Sequence, residues 1–239
     1  MADPIHQFQI QKIVDFGAVN LPVFGRTELA ITNSHIAMTV AFVLIVLFMQ
    51  FVTSGAKVVP GRLQTAGESL FDMIDGVTDS IIGHEGRKYF PFVFTLFLLV
   101  LVMNLLGMFL SFTATSQLAV TATFALLTFI LVLIVGFVKN GVGFFKLFWP
   151  MGAPIVLRPV VGFIEFISFM LRPFTLMLRL FGNMLGGHVA LKIFAGFVVS
   201  MGAVAMAGGE GLLGLPVAAL SLGMVVGLTA LEFLVAFLQ

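Results

Sequence analysis

The stretch FPFVFTLFLLVLVMNLLGMFLSFTATSQLAVTATFALLTFILVLIVGFV, residues 90–138, contains no aspartate, glutamate, lysine or arginine. A hydrocarbon core about 30 Å thick takes roughly 20 apolar residues of helix. The stretch therefore holds two spans, about 90–112 and about 119–138, separated by the polar turn TATSQ at 113–117. Outward from it, IAMTVAFVLIVLFMQFVT at 36–53 is a third uncharged span. Residues from about 158 to 207 are too long for one upright helix and carry Pro159 and Pro173. The Gly-rich turn AGGEGLLGLP at 207–216 follows, then an apolar run to the end. Apolar length in excess of the bilayer is taken up by tilting or kinking, so the last two helices are expected as a tilted hairpin.

Composition supports the same class. The chain has 239 residues, 60% hydrophobic and 10% charged, with a mean hydropathy of +1.15, whereas soluble domains run near 45–50% apolar and about 25% charged. The surplus must face lipid. The fold expected is an all-α polytopic membrane protein of about five membrane-embedded helices plus an amphipathic surface helix. A net charge of +1 argues against a nucleic-acid or other polyanionic partner. With no cysteine, disulfides, thiol catalysis and sulfur-ligated metals are excluded. The start, MADPIHQFQIQKIVDF, lacks a basic region followed by an apolar one, so insertion is expected to use the mature helices. No phosphate-binding loop pattern is present, and no cofactor, metal or bound nucleotide is expected.

The surface helix lies at about 64–82. Thr65 and Glu68 have capping-box spacing. Leu70, Met73, Ile74, Val77 and Ile81 recur at helical spacing, with Asp72, Asp75 and Asp79 on the other face. An acidic face is a poor match to anionic lipid, which leaves docking to a protein partner or simple solvation. Lys57, Arg62, Arg87 and Lys88 lie in the 54–89 loop, and Lys139, Lys146 and Arg158 in the 139–158 loop; the loops near 113–118 and 208–215 hold none. The positive-inside rule puts the two basic loops in the cytoplasm and the N-terminus outside. The layout expected is an outer-side segment over 1–35 and a single membrane domain over 36–239.

Charges inside this domain point to function. Arg158, Glu165, Arg172 and Arg179 recur every seven residues, a spacing that drifts only about 20° per heptad on a helix. They form one polar stripe if the helix continues through Pro173. Either Arg158 and Arg172 snorkel or pair with Glu165, or the stripe, with Glu165 and Arg172, lines a hydrated path from the inner side. Arg179 is harder to place structurally. A guanidinium keeps its charge and at a helix centre costs about 2.5–3.5 kcal/mol on insertion scales. Such residues form a buried ion pair or mark an ion route. Gly182, Gly186 and Gly187 nearby would let another helix approach closely. Asn183 shares the face of Arg179, whereas His188, nine residues on, looks away from it. Glu232 is a membrane-depth acid in the last helix, with Gln239 seven residues later. Counted from about residue 211, His188 and Glu232 lie at matching depth in a hairpin, as a proton relay or as a structural pair. His6, His35 and His84 are isolated in loops and suggest no metal site; Lys192 has no evident role.

LRLFGNMLGGH at 178–188 with a downstream glutamate and glutamine, GRKYFPFVFTLFLLVLVMNLLGM at 86–108, and the topology resemble subunit a of the rotary F-type ATP synthase membrane sector. The resemblance covers most of the chain. It implies that Arg179 is the essential stator arginine, that Asn183, His188, Glu232 and Gln239 belong to an outer half-channel, and that Glu165 belongs to an inner one. Implied partners are the proteolipid c-ring, peripheral-stalk b subunits, membrane lipid and protons. The implied location is a bacterial inner (plasma) membrane, or alternatively the mitochondrial inner membrane. In some members the acid stands at the position of His188 and the histidine at that of Glu232; the order here resembles mitochondrial and related bacterial proteins. By the family pattern Gln239 falls in mid-helix, so a short polar end is either absent or outside this sequence. A self-contained proton-coupled transporter is the rival class. It predicts internal repeats, and none is evident.

Overall fold

The computed structural model describes residues 12–21, 25–54, 57, 59–109, 113–149, 157–206 and 214–238. A β-hairpin comes first: β1 (Lys12–Leu21) pairs antiparallel with β2 (Gly25–Thr32). Its register shifts between Asp15 and Ala18. There Gly17 takes φ +88 and donates its N–H to Asp15 Oδ1 at 3.3 Å, the left-handed geometry of a bulge that glycine adopts without steric cost. Six helices follow: α1 (Asn33–Thr53), α2 (Arg62–Ile82), α3 (Phe90–Phe109), α4 (Leu118–Asn140), α5 (Arg158–Met206) and α6 (Gly214–Leu238). Short 3₁₀ turns occupy His84–Lys88, Ala114–Ser116 and Gly141–Phe148. All helices but α2 are long and apolar enough to cross a membrane, as an all-α polytopic membrane domain requires. The β-hairpin is an element the spacing of apolar residues did not foretell.

The helices form two units, Met1–Ala114 with Gly187–Gln239, and Thr115–Gly186. In the first, α1, α2 and α3 close around Ile74, Phe90, Phe94 and Leu98, flanked by Ile45, Met49, Leu70, Val93 and Phe97. Phe71 of α2 meets Phe90 edge-on with centroids 4.6 Å apart, a favoured aromatic geometry. α2 can approach α1 because position 67 is glycine: a Cβ there would lie 2.6 Å from Val52 Cγ1. Phe97 of α3 meets Phe237 of α6 edge-on at 6.2 Å. In the second unit, Phe144 of the 3₁₀ turn sits among Phe137, Phe145, Phe148 and Phe169. Gly162 lies against the Phe148 carbonyl.

Two expectations are corrected in detail. α2 begins at Arg62 after Gly61, and the Thr65 N–H already bonds the Gly61 carbonyl at 2.9 Å. Thr65 and Glu68 are therefore inside the helix and form no capping box. Thr65 Oγ1 donates to the Gly61 carbonyl at 3.1 Å, and Glu68 accepts from Gln64 Nε2 at 2.8 Å. The buried stripe of α2 is Gly67, Ile74 and Thr78. Of its expected apolar face, Met73, Val77 and Ile81 stay exposed, a surface suited to the lipid interface.

Candidate functional site

α5 is one helix of 49 residues, and Pro173 lies inside it. A proline removes a backbone N–H, but bilayer helices tolerate this when nearby groups re-satisfy the freed carbonyls. Pro173 frees the carbonyl of Phe169; two residues on, Thr175 Oγ1 donates to the carbonyls of Leu171 at 3.2 Å and Arg172 at 2.9 Å. The unbroken helix puts Arg158, Glu165, Arg172 and Arg179 on one side of it. Arg158 and Glu165 are half-buried; Arg172 and Arg179 are exposed on the surface of the chain. The Arg172 Cζ stands 5.5 Å from the Phe169 ring centroid, a cation–π contact that anchors this side chain against its own helix.

Around Arg179 the helix divides into two faces. Asn183, one turn on, is exposed with it, and Cβ atoms added at Gly182 or Gly186 would meet nothing within 4 Å. Roughly opposite, Phe169, Leu180, Met184 and His188 are buried. The helical period explains the division: Leu180, Met184 and His188 follow one another at four-residue spacing.

His188 and Glu232 come together. Both side chains are buried, and Nδ1 of His188 lies 3.4 Å from Glu232 Oε1. The antiparallel run of α5 and α6 produces this pairing. Near the hairpin turn, a Cβ at Gly214 would lie 2.8 Å from the Met201 carbonyl, so the two backbones nearly touch there. At the other end, a Cβ at Gly187 would lie 2.7 Å from Glu232 Oε1; the glycine leaves the carboxylate its space. Among the described residues, neither oxygen of Glu232 has a hydrogen-bond partner, a rare condition in a native interior and one associated with proton chemistry or bound water. His188 Nε2 is 3.0 Å from Thr113 Oγ1. Lys192 is exposed one turn beyond His188.

Thr113 and Asn104 are among the buried polar residues that escaped sequence reasoning. Thr113 sits in what reads as a plain polar turn. Asn104 is buried in α3 with neither amide atom hydrogen-bonded among the described residues; a lone amide in an apolar span was the available signal. Gln239 lies outside the described residues. His35, expected in a loop, is instead in the first turn of α1, where its Nδ1 is 3.3 Å from the Thr32 N–H and 2.8 Å from Thr32 Oγ1.

Comparison with known proteins identifies the family. Residues 35–239 match the family described as ATP synthase A chain. The chain belongs to the ATP synthase subunit a family. ATP synthase subunit a of Rhodopseudomonas palustris (strain BisB18) is 48% identical over 240 residues, covering 100% of this chain and 92% of that protein. ATP synthase subunit a of Nitrobacter hamburgensis is 49% identical over 240 residues, with the same coverage. Within a subunit a fold, α5 and α6 thus hold both an exposed arginine face and a buried histidine–glutamate pair.

Proposed function

We propose that the chain is the proton-conducting stator subunit of a rotary ATP synthase. It provides two offset aqueous half-channels that enter from opposite sides and do not meet. Arg179 separates them and faces a ring of small helical subunits, each with a membrane carboxylate. A proton enters past His188, Glu232, Asn183 and Gln239 and neutralises one ring carboxylate, which then turns into lipid. The arriving site loses its proton towards Glu165 and Arg172, because the guanidinium attracts the ionised carboxylate. The same positive charge repels protons and blocks a direct leak. Each elementary charge crossing 100 mV supplies about 2.3 kcal/mol, so several cross per ATP. The subunit conducts and performs no phosphoryl chemistry itself.

One observation carries this reading: an obligate cation and two glycines with open space beside them share the exposed face of α5, while the titratable pair is buried on the other side. The lysine and arginine distribution supports a cytoplasmic 54–89 loop, an outer-side 1–35 segment and one membrane domain over 36–239. Exposed apolar side chains along each span supply the lipid-facing surface. The acidic side of α2 suits docking of the peripheral-stalk b subunits. The bacterial relatives favour a bacterial plasma membrane over the mitochondrial inner membrane.

Cysteine cross-linking tests the facing surface, and the natural chain has no cysteine to interfere. Cysteine at position 182 or 186 should cross-link to a small, abundant proteolipid in native membranes, and cysteine at 184 should not. Equal cross-linking from 184, or none from 182 and 186, counts against the reading.

A further inference from the structure

Two contacts of Thr113 Oγ1 bear on where a proton sits. It donates to the Gly107 carbonyl at 3.2 Å and lies 3.0 Å from His188 Nε2. A hydroxyl has one proton and a peptide carbonyl only accepts, so that proton is committed to Gly107. The Nε2 contact must then run the other way, with Nε2–H donating to the Thr113 oxygen. A neutral imidazole carries one N–H, which leaves the lone pair on Nδ1, the nitrogen 3.4 Å from Glu232 Oε1. The seat for Thr113 is made by a missing side chain: a Cβ at Gly107 would lie 2.8 Å from Thr113 Oγ1. Thr113 is fully buried, and Glu232 offers both oxygens with no hydrogen-bond partner among the described residues.

We propose that Thr113 is a positioning residue that holds neutral His188 as the Nε2–H tautomer, so that His188 exchanges its proton with Glu232 through Nδ1 alone. This rests on the proposed proton path. In the step, the Oε1–H bond of protonated Glu232 breaks, an Nδ1–H bond forms, and a neutral pair becomes a carboxylate–imidazolium pair. No other reactant is needed. The 3.4 Å separation is longer than a formed hydrogen bond, so the carboxyl group closes by a few tenths of an ångström, about the difference from the usual range. Nε2–H donates to Thr113 before and after the transfer. The Nε2 side is therefore closed to protons, and His188 is a side branch that stores a proton beside Glu232, the in-line carrier.

The test uses the intact complex with ¹⁵N-labelled histidine, reconstituted in lipid vesicles. Solid-state NMR reads which ring nitrogen carries hydrogen, and the His188 signal is assigned by its loss in His188→Gln. Wild type should show neutral His188 protonated at Nε2. Thr113→Val, which removes the acceptor at similar size, should shift the tautomer ratio by about three- to tenfold, as expected for one net hydrogen bond, and Thr113→Ser should restore it. An Nδ1–H tautomer in wild type, or an unchanged ratio in Thr113→Val, overturns the proposal without requiring any transport measurement. ATP-driven vesicle acidification is read in parallel. Slower pumping in Thr113→Val that recovers in Thr113→Ser supports the exchange; the expected tautomers with unaltered pumping in both Thr113→Val and His188→Gln overturn the path on which it rests.

Discussion

Glu232 is a buried carboxylate in a helix long and apolar enough to cross a membrane, and its room is made by the absent side chain of Gly187. A Cβ there would lie 2.7 Å from Oε1, so Gly187→Ala must push the carboxylate away from His188. Misplacing a reacting group by an ångström costs up to about a hundredfold in rate; ATP-driven acidification should fall by about tenfold or more, with partial recovery when the acid is shortened by Glu232→Asp. Gly186, the neighbouring glycine, has nothing within 4 Å. Gly186→Ala should leave the fold and the melting temperature unchanged, so any lost pumping in that variant reports contact with another subunit. Much of this was legible from helical phase: Arg179 and Asn183 share a face, His188 faces away, and nearly equal distances from the turn set His188 level with Glu232. Thr113 was not, because its role depends on a contact across 75 residues of sequence that no local period encodes.

At the scale of elements, the apolar runs gave four spans closely, because length and absence of charge are the physical requirement for crossing. α5 was ambiguous at Pro173, where loss of one N–H could break or bend a helix; hydroxyl back-bonding from Thr175 accompanies its continuity. The β-hairpin at Lys12–Thr32 went unread, since its strands mix polar and apolar residues and gain their register from each other. Helix packing supplies its own prediction. Gly67→Ala forces a Cβ against Val52, and overpacking costs about 1–3 kcal/mol. The thermal midpoint of the detergent-solubilised chain should drop, and Val52→Ala should recover most of the loss. An unchanged midpoint in Gly67→Ala contradicts the close α1–α2 approach.

For the whole molecule, the proposed function depends on the disposition of charge across the bilayer. Basic loops at 54–89 and 139–158 should lie in the cytoplasm, so a cysteine at the exposed position Glu85 should react with an impermeant thiol reagent only from inside, and one at Gly17 only from outside. Reversed labelling would invert the two half-channels. In the proposed mechanism, proton flow turns on Arg179. In vesicles carrying the intact complex, Arg179→Ala should abolish ATP-driven acidification while raising passive proton leak, because the charge that both draws the ring carboxylate and separates the two water paths is gone. Acidification at the normal rate in that variant, with no added leak, would contradict the central role given to Arg179.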